Sequence, residues 1–142
     1  MQRRSQRRLL IAATVACVLC AQEIVDPPAA LWRNLKRALL APDGPEYFQM
    51  GMQGAILPTL RGRVARLDPP VNPTRIFLIM DDGRVESNAA DAALEFEKPL
   101  PGSVDYDTVL TFEGVGKSFT QNPFLLTMEV AKENLHGWTG KN

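Results

Sequence analysis

Leu60-Arg61-Gly62-Arg63-Val64-Ala65-Arg66-Leu67-Asp68 is the point at which the chain changes period. From here on, apolar residues recur every second position, the spacing of a half-buried strand. Arg61 and Arg63 fall on one side of this first strand. Pro69, Pro70 and Pro73 form a stiff connector, and Arg75 to Asp81 makes a second strand, closed by an Asp82-Gly83 hairpin turn. Val85 to Asn88 reads as a short return. Ala92 to Glu97 is a third strand, with Leu94 and Phe96 on one face and Glu95 and Glu97 on the other. A loop from Pro99 to Asp107 leads to a fourth strand, Thr108 to Val115. In the fifth, Phe124, Leu126, Met128 and Val130 alternate with Leu125, Thr127 and Glu129. Five strands at this spacing predict a small closed or nearly closed barrel, with Gly62 and Gly114 as bend points.

Upstream, the period is helical. Asp26-Pro27-Pro28 is a helix-start pattern, because proline lacks only an N–H that would be unpaired in a first turn. Leu31, Leu35 and Leu39 then recur at i, i+4, i+8 with Ala38 beside them, opposite Arg33, Lys36 and Arg37. Pro42-Asp43-Gly44-Pro45 ends this amphipathic helix. Tyr47 to Leu57 reads as a short helical turn or packed loop, since Gly51 and Gly54 weaken a helix there. Trp32 and Trp138 are expected to pack, with the helix over one mouth of the barrel.

The first residues carry a different message. Arg3, Arg4, Arg7 and Arg8 precede an uncharged run, Leu9 to Cys20, and acidic residues begin only at Glu23. A basic start, an apolar run of about a dozen residues and a small-residue exit are the marks of a secretory signal peptide, helical while attached. The run falls short of the roughly 20 apolar residues a bilayer span needs. Cleavage after Ala21 would leave Gln22 first. Thr14-Val15-Ala16-Cys17 approximates a lipoprotein box, making lipidation at Cys17 a minor alternative, and Arg7-Arg8-Leu9-Leu10 partly matches a twin-arginine signal. An uncleaved N-terminal anchor is a third route. The expected organisation is a signal peptide over 1–21, a helix and packed-loop lead-in over 22–58, a barrel over 59–138 and a tail over 139–142.

Removal of the signal changes the chemistry available. Cys17 and Cys20 go with it, so the mature chain has no thiol for a disulfide, a metal or a nucleophile. Twelve basic side chains against 16 acidic ones then remain, a net charge of −4. A mildly acidic domain does not suit general nucleic-acid or anionic-membrane binding, which needs a clustered basic surface. Membrane association is expected only through an uncleaved signal or a lipid anchor.

The strand sequences Leu60 to Val64, Phe77 to Asp81, Ala92 to Phe96, Leu110 to Val115 and Phe124 to Met128 resemble an OB-type five-stranded barrel. More narrowly, Phe112-Glu113-Gly114-Val115, Phe119-Thr120 and Asn122-Pro123-Phe124 resemble a C-terminal module of exported bacterial proteins that often follows tetratricopeptide repeats. Leu31-Trp32 through Tyr47-Phe48 to Leu57-Pro58-Thr59-Leu60 resembles the lead-in to that module. The resemblance spans roughly residues 30–138 and implies an OB-like fold and a cell-envelope setting, with no activity attached. This chain lacks a repeat array.

Motifs that suggest chemistry have plainer readings. Gly114-Val115-Gly116-Lys117-Ser118 ends like a phosphate-binding loop, but Thr111 stands where the first glycine belongs, and Pro123 leads into a strand rather than a helix. It reads as a turn after the fourth strand, with Lys117 in solvent. His136 is the only histidine and sits in a polar tail. Asp81-Asp82-Gly83, and Asp105 with Asp107, lack the further ligands of a calcium loop and suit turns. Glu95, Glu97 and Glu113 alternate with core residues, so they read as solvent-facing. No cofactor or metal is expected.

Arg61, Arg63, Arg66 and Arg75 form the densest basic group, and Phe77 lies close by on the second strand. Arginine with an aromatic is a common hot-spot composition. Arg61, Arg63, Arg75 and Phe77 are therefore the candidate binding face. The expected role is a non-catalytic binding or assembly module of the bacterial envelope or periplasm, meeting another envelope protein or a glycan. A periplasmic binder of small molecules or oligosaccharides is the alternative, and an enzyme of unrecognised type ranks third.

Overall fold

The computed structural model describes residues 26–81 and 89–140. The signal segment with Cys17 and the Ala21–Gln22 junction, the Asp82-Gly83 turn and the return from Val85 to Asn88 lie outside the described residues. Two helices, α1 (Pro27–Leu40) and α2 (Gly44–Gly51), precede the strands β1 (Leu60–Asp68), β2 (Arg75–Met80), β3 (Ala92–Glu95), β4 (Val109–Phe112), β5 (Val115–Gln121), β6 (Phe124–Glu129) and β7 (Leu135–His136). A 3-10 turn, Lys132–Asn134, leads into β7. None of the described helices is long and apolar enough to cross a membrane.

The protein is mainly β. The strands form one mixed sheet in the order β5-β6-β3-β2-β1-β4-β7. All pairings are antiparallel except β3 with β6. Among the described residues the sheet has seven strands rather than the expected five, and it is not closed into a barrel. The expected fourth strand stops at Phe112, and the chain resumes as β5 after Glu113 and Gly114. The break has a packing cause: a Cβ on Gly114 would stand 3.1 Å from Val130 Cγ2 and 3.2 Å from the Glu129 carbonyl oxygen. β5 occupies the stretch expected to be a turn. Two isolated bridges, Gln53 with Gly116 and Ile56 with Val115, lay the chain after α2 along its start.

A bulge in β1 sets the faces of the sheet. Leu60, Gly62 and Val64 point inward and are buried, as are Leu67, Ile76 and Leu78. The pairing register with β2 shifts between Val64 and Arg66, so two residues of β1 oppose one of β2. Without that extra residue, Leu67 would face solvent and Arg66 the core.

The helices cover the inner face. On α1 Trp32 and Leu39 are both at 0% exposure, whereas Leu31 is 40% exposed. The expected leucine stripe is therefore rotated: Ala29, Trp32 and Leu39 are buried, with Leu35 partly so. Trp32 packs edge-on against Phe124 with ring centroids 6.0 Å apart. Gly44 and Pro45, read as breakers, open α2, since proline is compatible with a first helical turn. Phe48 of α2 packs on Phe119 of β5 at 5.1 Å.

Candidate functional site

The outer face of β1 and β2 gathers the candidate residues. In register, Arg63 stands opposite Ile79, Arg66 opposite Phe77 and Asp68 opposite Arg75. All four candidate positions, Arg61, Arg63, Arg75 and Phe77, are half-buried on this surface. They do not act as one cluster, and their partners divide them into two.

The first cluster is neutralised. Arg61 makes ion pairs with both Asp26, just before α1, and Asp81, just after β2. The hydrogen bonds that Arg61 donates to Asp26 and then to Asp81 raise its pKa. Arg63 lies 3.8 Å from Asp107. Arg61 and Arg63, with Ile79, Asp81 and Val109, line a shallow concavity of about 240 Å³. Val109 is 56% exposed there.

The second cluster centres on Phe77. The Arg66 guanidinium lies 4.1 Å from the centre of the Phe77 ring, and that of Arg75 lies 5.0 Å from it. Contacts of this kind are worth about 0.5–1 kcal/mol at exposed positions. Among the described residues neither arginine has a carboxylate within 4.0 Å, and the buried Arg75 Nε has no hydrogen-bond partner. Arg66 is the residue that alternation alone misses. The signal for it was the spacing of three between Val64 and Leu67, the footprint of the bulge.

A second groove, of about 600 Å³, opens where β3, β5 and β6 end, between Arg75, Glu95, Glu97, Lys117 and Glu129. Lys117 is exposed as expected but sits on β5 rather than on a turn, 3.0 Å from Glu95 and 3.7 Å from Glu129. The hydrogen bond to Glu95 raises its pKa. The phosphate-loop look-alike is thus strand, with no helix N-terminus following it.

The remaining candidates are placed individually. His136 is exposed on β7. Asp105 serves a turn, its carbonyl oxygen accepting from the Thr108 backbone N–H at 3.2 Å and the Thr108 hydroxyl at 2.6 Å. The Trp138 indole N–H donates to the Pro101 carbonyl oxygen at 2.9 Å, consistent with packing. Among the described residues no group of three or more His, Cys, Asp and Glu side chains is placed to hold a metal ion.

No family model matches the chain, and neither the curated proteins nor the solved structures contain a match to it.

Proposed function

We propose that this chain is an exported binding module of the bacterial cell envelope, non-catalytic, with the outer face of β1 and β2 as its docking surface. The observation that carries this reading is the pair of arginines, Arg66 and Arg75, stacked on Phe77 with no carboxylate within 4.0 Å among the described residues. Arginines without acidic partners on a domain expected to be net acidic mark a surface suited to a partner. Glu95 and Glu129 hold Lys117 between them instead of standing as a free acid–base pair, which supports the non-catalytic reading.

The strand path supports an OB-like strand arrangement, left open rather than closed, with a divided fourth strand. β1 pairs with both β2 and β4, β3 runs parallel to β6, and only Glu113 and Gly114 separate β4 from β5. The helix α1 reaches across this arrangement from Arg61 on β1 to Gln121 on β5. The resemblance to the C-terminal module of exported tetratricopeptide-repeat proteins rests on Phe112 to Val115 at that junction, on Phe119-Thr120 and Asn122-Pro123-Phe124 beyond it, and on the lead-in from Leu31 to Leu60, and we carry the envelope setting over with it.

A binder of small molecules or oligosaccharides is the second reading, and the concavity beside Arg63 favours it. Its volume, about 240 Å³, falls below the roughly 300–1,000 Å³ of ligand pockets, whereas the groove between Arg75, Glu95, Lys117 and Glu129, at about 600 Å³, falls within that range.

The test is a crosslinked pull-down of the tagged full chain from its own envelope, beside Arg66→Ala/Arg75→Ala. One reproducible protein partner lost in the variant supports the reading, and a partner retained by the variant places docking elsewhere. N-terminal sequencing of the exported protein should begin near Gln22. An intact Met1 in the membrane fraction would overturn cleavage.

A further inference from the structure

We infer that the occupant of the β1–β2 face is an extended acidic polypeptide segment, with carboxylates held by Arg66 and Arg75 and an aliphatic side chain seated in the Ile79–Val109 concavity. This rests on the docking surface proposed above and names the chemistry of its partner. Charge is the first argument. Of the four outer-face arginines, Arg61 and Arg63 face aspartates, whereas among the described residues Arg66 and Arg75 make no ion pair, not even Arg75 with Glu95, its register partner on β3. Guanidinium forks match carboxylates in a planar, two-bond geometry. Asp68, across from Arg75 in register, makes no ion pair with it.

Spacing is the second. Phe77 and Ile79 are two residues apart on β2 and share the outer face. Their side chains therefore lie about 7 Å apart, and those on one side of an extended peptide recur at the same interval. An aliphatic residue over Ile79 thus puts a carboxylate two residues along at Phe77, where the Arg66 and Arg75 guanidiniums both lie, and another two further on toward the Arg75 end of β2.

The same features weigh against other occupants. The two guanidiniums over Phe77 take up the aromatic platform on which a sugar would stack. Asp68, Asp81 and Asp107 interrupt the positive charge, whereas a membrane or nucleic acid needs a continuous basic surface.

The probe is a fluorescein-labelled peptide, Ser-Leu-Ser-Glu-Ser-Glu-Ser, read by anisotropy against its Gln counterpart. Saturable binding is expected, weakened about tenfold or more in the Gln peptide and in Arg66→Ala/Arg75→Ala, whose thermal melt should stay near that of the parent. Asp68→Asn should bind the Glu peptide more tightly, because it removes a competing carboxylate. That gain cannot come from a misfolded variant. Equal binding of the two peptides, no saturation at millimolar peptide, or preference for heparin or phosphatidylglycerol vesicles overturns the inference. A crosslinked envelope partner that docks on this face without an acidic segment overturns it too, yet leaves the proposed function standing.

Discussion

Lys36 Nζ on α1 donates to Asp91 Oδ2 at 3.3 Å, joining the helix to the entry of β3. Asp91 is 6% exposed, and its Oδ1 accepts the Met80 backbone N–H at 2.8 Å. Burial is the largest influence on it and raises its pKa, outweighing the Met80 hydrogen bond and the Lys36 charge.

The sign of the pH dependence follows from that direction. A carboxyl group with a raised folded-state pKa binds its proton more tightly when folded than unfolded. Its stabilising contribution is complete below the unfolded pKa of about 4, and is lost as pH rises through the folded value. Asp91→Asn keeps an acceptor for Met80 but cannot titrate. The parent should therefore gain stability relative to Asp91→Asn between about pH 7 and pH 4, as read by urea unfolding. A difference that does not change with pH would show that Asp91 titrates as it does in the unfolded chain.

The rotated stripe on α1 gives a second test. Trp32→Ala removes a fully buried side chain and is expected to cost about 3–5 kcal/mol. Leu31→Ala, on the more exposed flank, should change stability by about 0.5 kcal/mol or less. Similar losses at both positions, read from denaturant midpoints, would restore the leucine stripe as the buried face.

Legibility in the sequence tracked how local each cause was. β1 matches its sequence-read bounds, Leu60 to Asp68, because alternation marks it and prolines end it. β5 was missed because the register shift between Gly116 and Ser118 interrupts its period. The start of α2 was misplaced, because Gly44 and Pro45 suit a helix start as well as a helix end, while Tyr47 to Gly51 falls in the stretch read as a short helical turn or packed loop. The candidate face was half legible. Alternation places Arg61 and Arg63 outward, but the side taken by Arg66 depends on the bulge, and the neutralisation of Arg61 depends on Asp26 arriving with α1. Those are tertiary facts with no local pattern.

Gly116 tests how tightly the chain after α2 is held to β5. Its N–H donates to the Ala55 carbonyl oxygen, and its own carbonyl accepts from Gly54. A Cβ here would stand 2.3 Å from the Met52 carbonyl oxygen, a backbone atom that cannot rotate away. Gly116→Ala is expected to cost about 1–3 kcal/mol. A Cβ on Gly51, in α2, would meet nothing within 4 Å, so Gly51→Ala should stabilise by about 0.4–1 kcal/mol. Thermal melts of the two variants should move in opposite directions. Movement the same way would show that the bridge to β5 yields.

Gln121 closes the C-terminal end of α1 from the far edge of the sheet. Its Nε2 donates to the carbonyl oxygens of Leu39 and Ala41, each at 3.0 Å. Carbonyls in a last helical turn have no partner within the helix. Gln121→Ala removes the donor, with an expected cost of about 1–2 kcal/mol. Gln121→Glu keeps the size but turns a carboxylate oxygen toward two carbonyl oxygens, at the negative end of the helix dipole. It should therefore cost more than the alanine variant near neutral pH, and recover part of that loss when acid protonates the carboxyl and restores a donor. Urea unfolding of both variants at the two pH values decides the matter. Equal losses that do not respond to pH would show that Gln121 acts by packing alone.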